Sequence, residues 1–366
     1  MSNGARIWSW SRRRGINVFE FEKDKLEKVF KYQSDTFEPF IRYIRFPKYK
    51  NLTPGTSIEF NHPITALVGE NGTNKSSIIR AVYGAPSDNS VGVFWFSTSL
   101  DPIAESGTPN CFIYGFVNSE TSKTIEVLKT RSKYNKNKGE SQNPDYWESS
   151  RPILKYGMER MPLLKKHQKP PPGRSATRWN PIEKEVKLLD FRTELSAYDK
   201  YFYHGDIHKT KKIKTKQDFI RHKSEHLLNA IVSKAPSYEY YRREKIEGKV
   251  NRELTKEEVD AVSFVLGRRY ERIEVIAHNF FRNPGTTVRM TSTDIMYSEA
   301  FAGSGEFAAV MLVMGVINLP EKSLILFDEP EVPASRCADT VYEVFGIPCD
   351  QITPPGVDIN SLSFDH

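Results

Sequence analysis

A glycine-rich loop between an apolar run and a helix-forming run constrains this chain more than any other feature. Residues 64–68 are apolar and read as a buried strand, Gly69-Glu70-Asn71-Gly72-Thr73-Asn74-Lys75-Ser76-Ser77 follows, and residues 76–83 have helical periodicity. Successive backbone N–H groups in such a loop form a nest for phosphate oxygens, strengthened by the positive end of the next helix. Lys75 is expected to reach the outer phosphates and the Ser76 hydroxyl to ligate magnesium. The loop fits the GxxxxGK[ST] pattern except that Asn74 stands where glycine is usual. Asparagine tolerates positive φ better than most side chains, so the loop is expected to form. A chance Gly/Asn turn before a helix gives the same pattern, but the strand and helix on either side argue against it.

A second motif lies far downstream. Leu324-Ile325-Leu326-Phe327-Asp328-Glu329-Pro330-Glu331 is an apolar run that ends in two acids. Asp328 suits a metal contact, direct or through water, and Glu329 suits the general base that polarises an attacking water. Strand ends often carry acids, so this motif means little without the loop. The two together supply a phosphate cradle, a lysine, a metal hydroxyl, a metal carboxylate and a base, which is the inventory of a magnesium-dependent ATP hydrolase. Just upstream, Gly303-Ser304-Gly305-Glu306 opens a helix pattern over residues 306–317. Small residues and helix-end N–H groups suit a phosphate, here one held by another subunit. The competing reading is an ordinary helix cap. The position directly before the Asp-Glu strand favours the first.

The chain has 366 residues, with 38% hydrophobic and 12% aromatic content, enough for one large domain with an insertion or for two domains. No stretch approaches the ~18 uninterrupted apolar residues of a membrane span, and the first residues lack a secretory apolar segment. Cys111, Cys337 and Cys349 form neither a metal spacing nor a disulfide framework. A cytoplasmic protein without membrane contact is expected. The net charge of +7 is concentrated in residues 123–138, 151–187 and 208–216, with Tyr134, Tyr146, Trp147, Tyr156 and Trp179 interleaved. Such a surface can neutralise phosphates and stack bases in direct nucleic-acid contact. A solvated basic insertion that does neither has the same composition, and both readings stay open.

The chain divides by pattern. Residues 1–35 read as an appended segment. Residues 36–130 hold strands at 41–46, 57–60, 111–117 and 124–130, the last two as a hairpin, and carry the loop. Residues 131–286 read as a basic loop and helical insertion: 131–180 as loop or linker, then helices at 218–233 and 256–281, the second opened by the capping box of Thr255 and Glu258. Residues 287–332 return to the nucleotide core, with a strand at 323–327. Residues 333–366 form an atypical tail. The expected class is α/β, a P-loop NTPase head with a basic helical insertion.

The order of phosphate loop, helical insertion, Gly303-Ser304-Gly305-Glu306 and Leu326-Phe327-Asp328-Glu329-Pro330-Glu331 resembles the ABC-type ATPases, nearest to their RecF/SMC-like and OLD-like group. Residues 43–84, with Asp145-Tyr146-Trp147-Glu148-Ser149-Ser150-Arg151-Pro152 and Phe191-Arg192-Thr193-Glu194-Leu195-Ser196-Ala197, are similar to the Septu-type ATPase carried by some retrons. The resemblance implies two heads that sandwich ATP, with Ser304, Gly305 and Glu306 of one facing the loop of the other in a head-to-head dimer. The usual order in this family is Ser-Gly-Gly-Gln, so the small residues here are swapped. It further implies an antiviral defence role beside an HNH-type nuclease and a reverse transcriptase with its RNA–DNA product. A RecF-like DNA-repair ATPase and a non-hydrolysing nucleotide-sensing subunit are the alternatives.

The tail departs from that family. After Val332 the family continues with a Ser-Leu-His-Pro-like turn, further helix and strand, and a histidine near the γ-phosphate. Here Pro333-Ala334-Ser335 leads into a Pro-rich stretch that ends at His366. Back-translation from Pro333, read one nucleotide later, permits Leu-His-Pro and an amphipathic helix. The head is therefore expected to be incomplete at the C-terminus through a frameshift. The alternative is a native tail on a degenerate ATP-binding subunit, with His204 or His366 as substitute switch histidine.

Overall fold

The computed structural model describes residues 28–31, 36–103, 107–134, 143–165, 167–190, 195–234, 251–281, 283–293 and 295–328. The fold is mixed α/β, with two antiparallel sheets and one parallel strand pair. The first sheet runs β2-β1-β3-β4-β5, from β1 (Ile41–Lys48), β2 (Thr56–Glu59), β3 (Cys111–Asn118), β4 (Lys123–Tyr134) and β5 (Asn143–Ser150). Pro54 and Gly55 turn β1 into β2. Gly55 has φ 92 and Thr56 N–H donates to Thr53 O at 3.1 Å, the chemistry expected of Pro then Gly at the turn's centre. The expected hairpin of β3 and β4 forms, in register from Cys111↔Thr130 to Asn118↔Lys123.

Period-two alternation places Phe112, Tyr114 and Phe116 of β3 on one face, beside Ile44, Phe46 and Trp147. Cys111 and Ile113 on the other face pack with Leu128 and Met158. Each large apolar side chain buried here contributes about 1.5–3 kcal/mol. Helix α1 (Lys75–Tyr83) adds Ile78, Ala81 and Val82 to the first cluster. Gly84 ends α1 where the chain passes so close to Val91 that a Cβ would lie 2.5 Å from its side chain and 2.9 Å from its backbone nitrogen. The fully buried Tyr114 hydroxyl donates to Ala85 O (2.8 Å) and accepts from Ile182 N (3.1 Å), tying β3 to the end of α1 and the approach to β6 (Val186–Asp190).

The second sheet runs β10-β9-β8-β7, from β7 (Asn251–Glu253), β8 (Arg272–His278), β9 (Gly285–Ser292) and β10 (Ile295–Ser298). Ile273, Val275, Val288 and Met290 face α4 (Lys256–Leu266) and α5 (Ser304–Val316). Ile276 faces α3 (Lys216–Ser233), and Phe281 past the end of β8 packs with α2 (Ala197–His204). The parallel pair is β6 (Val186–Asp190) with β11 (Leu324–Asp328), in register from Leu324↔Val186 to Asp328↔Asp190. Leu324 and Leu326 pack against the first core.

Three expectations differ from this fold. Residues 131–180 are not loop throughout: β4 continues to Tyr134 and β5 adds a fifth strand. The helix expected over 256–281 stops at Leu266, because Gly267 takes φ 61 and its N–H returns to Phe264 O. Strand β8 then occupies 272–278, so the span read as a helical insertion is mixed helix and strand. Residues 64–68 enter no sheet ladder among the described residues, and Val68 is 54% exposed. Residues 1–27, Glu329, the tail and His366 lie outside the described residues.

Candidate phosphate and metal site

The loop between residue 68 and α1 folds on itself. Gly72 holds φ 89, a conformation that suits glycine, with open space where a Cβ would stand. Thr73 donates through its hydroxyl (2.8 Å) to Glu70 O, closing the turn. Asn74, the N-cap of α1, adopts φ 66 and ψ 16 and makes no side-chain cap hydrogen bond. The left-handed backbone expected at this atypical position is therefore present. Gly69, Glu70, Asn71 and Gly72 are exposed. The Lys75 ammonium curls back over them and donates to Gly69 O (2.6 Å) and Glu70 O (2.7 Å). Those carbonyls occupy the lysine as phosphate oxygens would, and the side chain already spans the mouth of the loop.

Ser76 and Ser77 point to different places. Ser76 Oγ donates to Asp328 Oδ1 at 2.8 Å, joining residues 252 apart in the chain. Ser77 is buried; its hydroxyl accepts from Lys50 Nζ (3.0 Å) and its carbonyl from the Tyr49 hydroxyl (3.2 Å). Burial, and then the nearby Arg80 charge, push the Lys50 amine below its ordinary value. Ser77 thus anchors α1 to the turn that follows β1, while Ser76 faces the carboxylate.

Asp328 is 2% exposed at the last position of β11. Its register partner Asp190 ends β6, and Arg80 of α1 lies 3.9 Å from an oxygen of each. Sequence reasoning missed both Asp190 and Arg80. The signal for Asp190 was present, since Val186-Lys187-Leu188-Leu189-Asp190 repeats the apolar-run-then-Asp form of Leu324–Asp328. Arg80 carried no signal beyond a charged residue on the α1 pattern.

Ser304, Gly305 and Glu306 open α5, with Gly303 as N-cap. Glu306 accepts from Gly303 N–H (3.0 Å), from the Tyr297 hydroxyl (2.7 Å) and from the Tyr270 hydroxyl, with Arg268 at 3.5 Å. Burial alone would raise this carboxyl. The hydrogen bonds from Tyr270, Tyr297 and Gly303, helped by Arg268, outweigh it and hold the group below the usual glutamate range. Within one protomer Glu306 is a helix cap bonded to its own surroundings. Gly303 and Ser304 remain exposed, with Phe301 beside them 87% exposed. The preceding turn is held by Glu299, whose carboxylate accepts from Thr287 Oγ1 (2.8 Å) and Val288 N (2.9 Å). None of the hydrogen bonds described for Glu306 reaches the phosphate loop.

Among the described residues, no group of three or more His, Cys, Asp or Glu side chains could hold a metal ion. A dication here would rely on the Ser76 hydroxyl, one or two carboxylates and water. That hard-oxygen set suits magnesium, which keeps much of its hydration and borrows phosphate oxygens. The residues present therefore fit a magnesium–nucleotide pair. Glu329, the expected base, lies outside the described residues, and His204 is exposed at the end of α2. No helix among the described residues is long and apolar enough to cross a membrane. Comparison with protein-family models, curated proteins and solved structures finds no match for the chain.

Proposed function

We propose that this chain is a magnesium-dependent ATPase of the ABC type, built as a P-loop head and serving an antiviral defence complex in the cytoplasm. The observation that carries the reading is the 2.8 Å hydrogen bond between Ser76, at the first turn after a glycine-rich loop, and Asp328, at the end of an apolar strand. Two motifs recognised separately as a phosphate cradle and a metal carboxylate meet in one place. Such a meeting is improbable for a chance turn and a chance strand end.

The roles follow from position. The backbone of Gly69 to Asn74 supports the phosphates, and Lys75 exchanges its two carbonyl contacts for phosphate oxygens. Magnesium, when bound, neutralises phosphate charge and orients the outer phosphate for attack. Ser76 and Asp328 would hold it, and Glu329 would accept the proton of the attacking water. In a head-to-head dimer the exposed Gly303 and Ser304, with the N–H groups of the α5 start, would meet the partner's phosphates while Glu306 fixes the helix behind them. By the same reading the partners are a second copy, an HNH-type nuclease, and a reverse transcriptase with its RNA–DNA product.

Turnover tests the reading. Glu329→Gln should retain ATP binding and lose hydrolysis by ~10²-fold or more, the scale of a removed general base; unchanged turnover would remove Glu329 from the mechanism. A specific observation also favours direct nucleic-acid contact, as a RecF-like DNA-repair ATPase would make. Lys209, Lys211, Lys212 and Lys214 are all exposed on the connection between α2 and α3.

A further inference from the structure

We propose that Asp190 is a second carboxylate of the metal site, acting beside Asp328 on the hydrated cation, with Arg80 as a countercharge between them that competes with the cation; this rests on the nucleotide reading above. Strands β6 and β11 pair parallel and in register, with Asp190 opposite Asp328. Neighbouring strands lie about 4.7–4.9 Å apart and paired residues share a face. The two carboxylates therefore leave the carboxyl ends of adjacent parallel strands side by side. In open parallel sheets that edge is where ligands bind.

Both groups are largely withdrawn from water, with side-chain exposures of 17% for Asp190 and 4% for Asp328. Adjacent carboxylates of this kind repel and need countercharge. Arg80 supplies one positive charge at 3.9 Å from each. That separation is longer than a hydrogen bond, so in these two contacts the guanidinium acts through its charge. Its central carbon lies 5.3 Å from the Phe94 ring centroid, which steadies the guanidinium group. The two carboxylates and the Ser76 hydroxyl bonded to Asp328 bring hard oxygen donors together. A dication that keeps its waters and takes one or two carboxylates matches those donors. Asp190, the more exposed of the pair, would accept from metal-bound water, and Asp328 would act together with Ser76.

The test is Mn²⁺ binding to the full chain in the presence of ATP, followed by electron paramagnetic resonance. Asp190→Asn should need ~10–100-fold more Mn²⁺ for half occupancy, the usual cost of losing a group that supports a metal's ligands. ATP affinity measured in EDTA should be the same as in the wild type. Arg80→Gln should move Mn²⁺ half-saturation several-fold the other way, because it removes a positive charge 3.9 Å from each carboxylate; this comparison also stands if the Asn protein does not fold. A purely structural role for either residue predicts no such opposed shifts. Equal Mn²⁺ affinity in wild type and variants would overturn the inference and leave the ATPase reading standing. A wild-type protein that binds no ATP would overturn that reading itself.

Discussion

Glu299 and His278 bond to the same buried hydroxyl, that of Thr287, and burial moves their titrations in opposite directions. His278 is wholly buried; its Nδ1 accepts from Phe280 N–H (3.1 Å), which places the ring proton on Nε2, 2.8 Å from Thr287 Oγ1. Thr287 in turn donates to Glu299. Burial pushes the Glu299 carboxyl from 4.5 up to about 7, against the pull of its hydrogen bonds from Thr287 and Val288, and Asp199 raises it slightly further. Burial lowers His278 from 6.5 to about 4. The signs follow from linkage. Glu299 binds its proton more tightly when folded, so its contribution to stability falls as pH rises from 4.5 to about 7, by on the order of 3 kcal/mol. His278 refuses a proton that the unfolded chain accepts, so stability falls as pH drops from 6.5 towards 4. Between pH 4.5 and 6.5 the two opposed slopes largely cancel; Glu299→Gln, with its amide oxygen accepting from Val288 and its nitrogen donating to Thr287, should remove one of them, so that stability climbs from pH 5 to 6.5 where the wild type is nearly level. Urea melts at pH 5, 6, 7 and 8 check this, and the same pH profile in both proteins would exclude Glu299 as a contributor.

Among the elements, those with strong local signals matched the sequence and those made by distant contacts did not. The capping box read from the sequence, Thr255 with Glu258, is present, because a cap needs only four consecutive residues, and Thr215 with Asp218 forms another. Strand β1 shows its alternation in burial. Strand β5 has no such signal in Asn143-Pro144-Asp145-Tyr146-Trp147-Glu148-Ser149-Ser150. It exists because Trp147 enters the first core and Asp145 meets the buried Arg131 at 2.6 Å, both tertiary events. The helix period read past Leu266 ignored Gly267, the one residue there suited to a left-handed cap.

The α2–α3 connection is an element with a function of its own to test. Ile213 packs against the cluster of Ala197, Tyr201, Phe219 and Phe281, and Thr210 N–H donates to Ile213 O at 2.8 Å. This fixes a turn on which the lysines stand outward. The nearest acid on α3, Asp218, is engaged by Lys214 N–H and Thr215 N–H. Replacing Lys209, Lys211, Lys212 and Lys214 with alanine should weaken single- or double-stranded nucleic-acid binding across all sequences. The slope of log affinity against log salt should become shallower by about 1 for each phosphate that a lysine no longer neutralises. Fluorescence anisotropy at several salt concentrations reads both. An unchanged slope would mean this tract is only solvated charge.

At the scale of the whole molecule, the site joins parts that are remote in the chain. The glycine-rich loop before α1 and the strand ending in Asp328 were legible because each is a short local pattern. Their meeting required the fold: Tyr114 ties the end of α1 to the approach to β6, and β6 pairs with β11. Asp190 was hidden for that reason, since an acid after an apolar run acquires meaning only when its strand lies beside β11. Glu306, expected at a partner's phosphate, is in this chain bonded to Gly303 at the start of α5, to Tyr270 just before β8 and to Tyr297 of β10. The central claim is that the loop and Asp328 form one nucleotide site. Calorimetric titration of the purified chain with ATP and magnesium tests it most directly, with wild type set beside Lys75→Ala. Saturable binding by the wild type, weakened at least ~10-fold when the charge-assisted lysine hydrogen bonds are removed, is the predicted result. Equal binding by the two proteins, or none by the wild type, would contradict it.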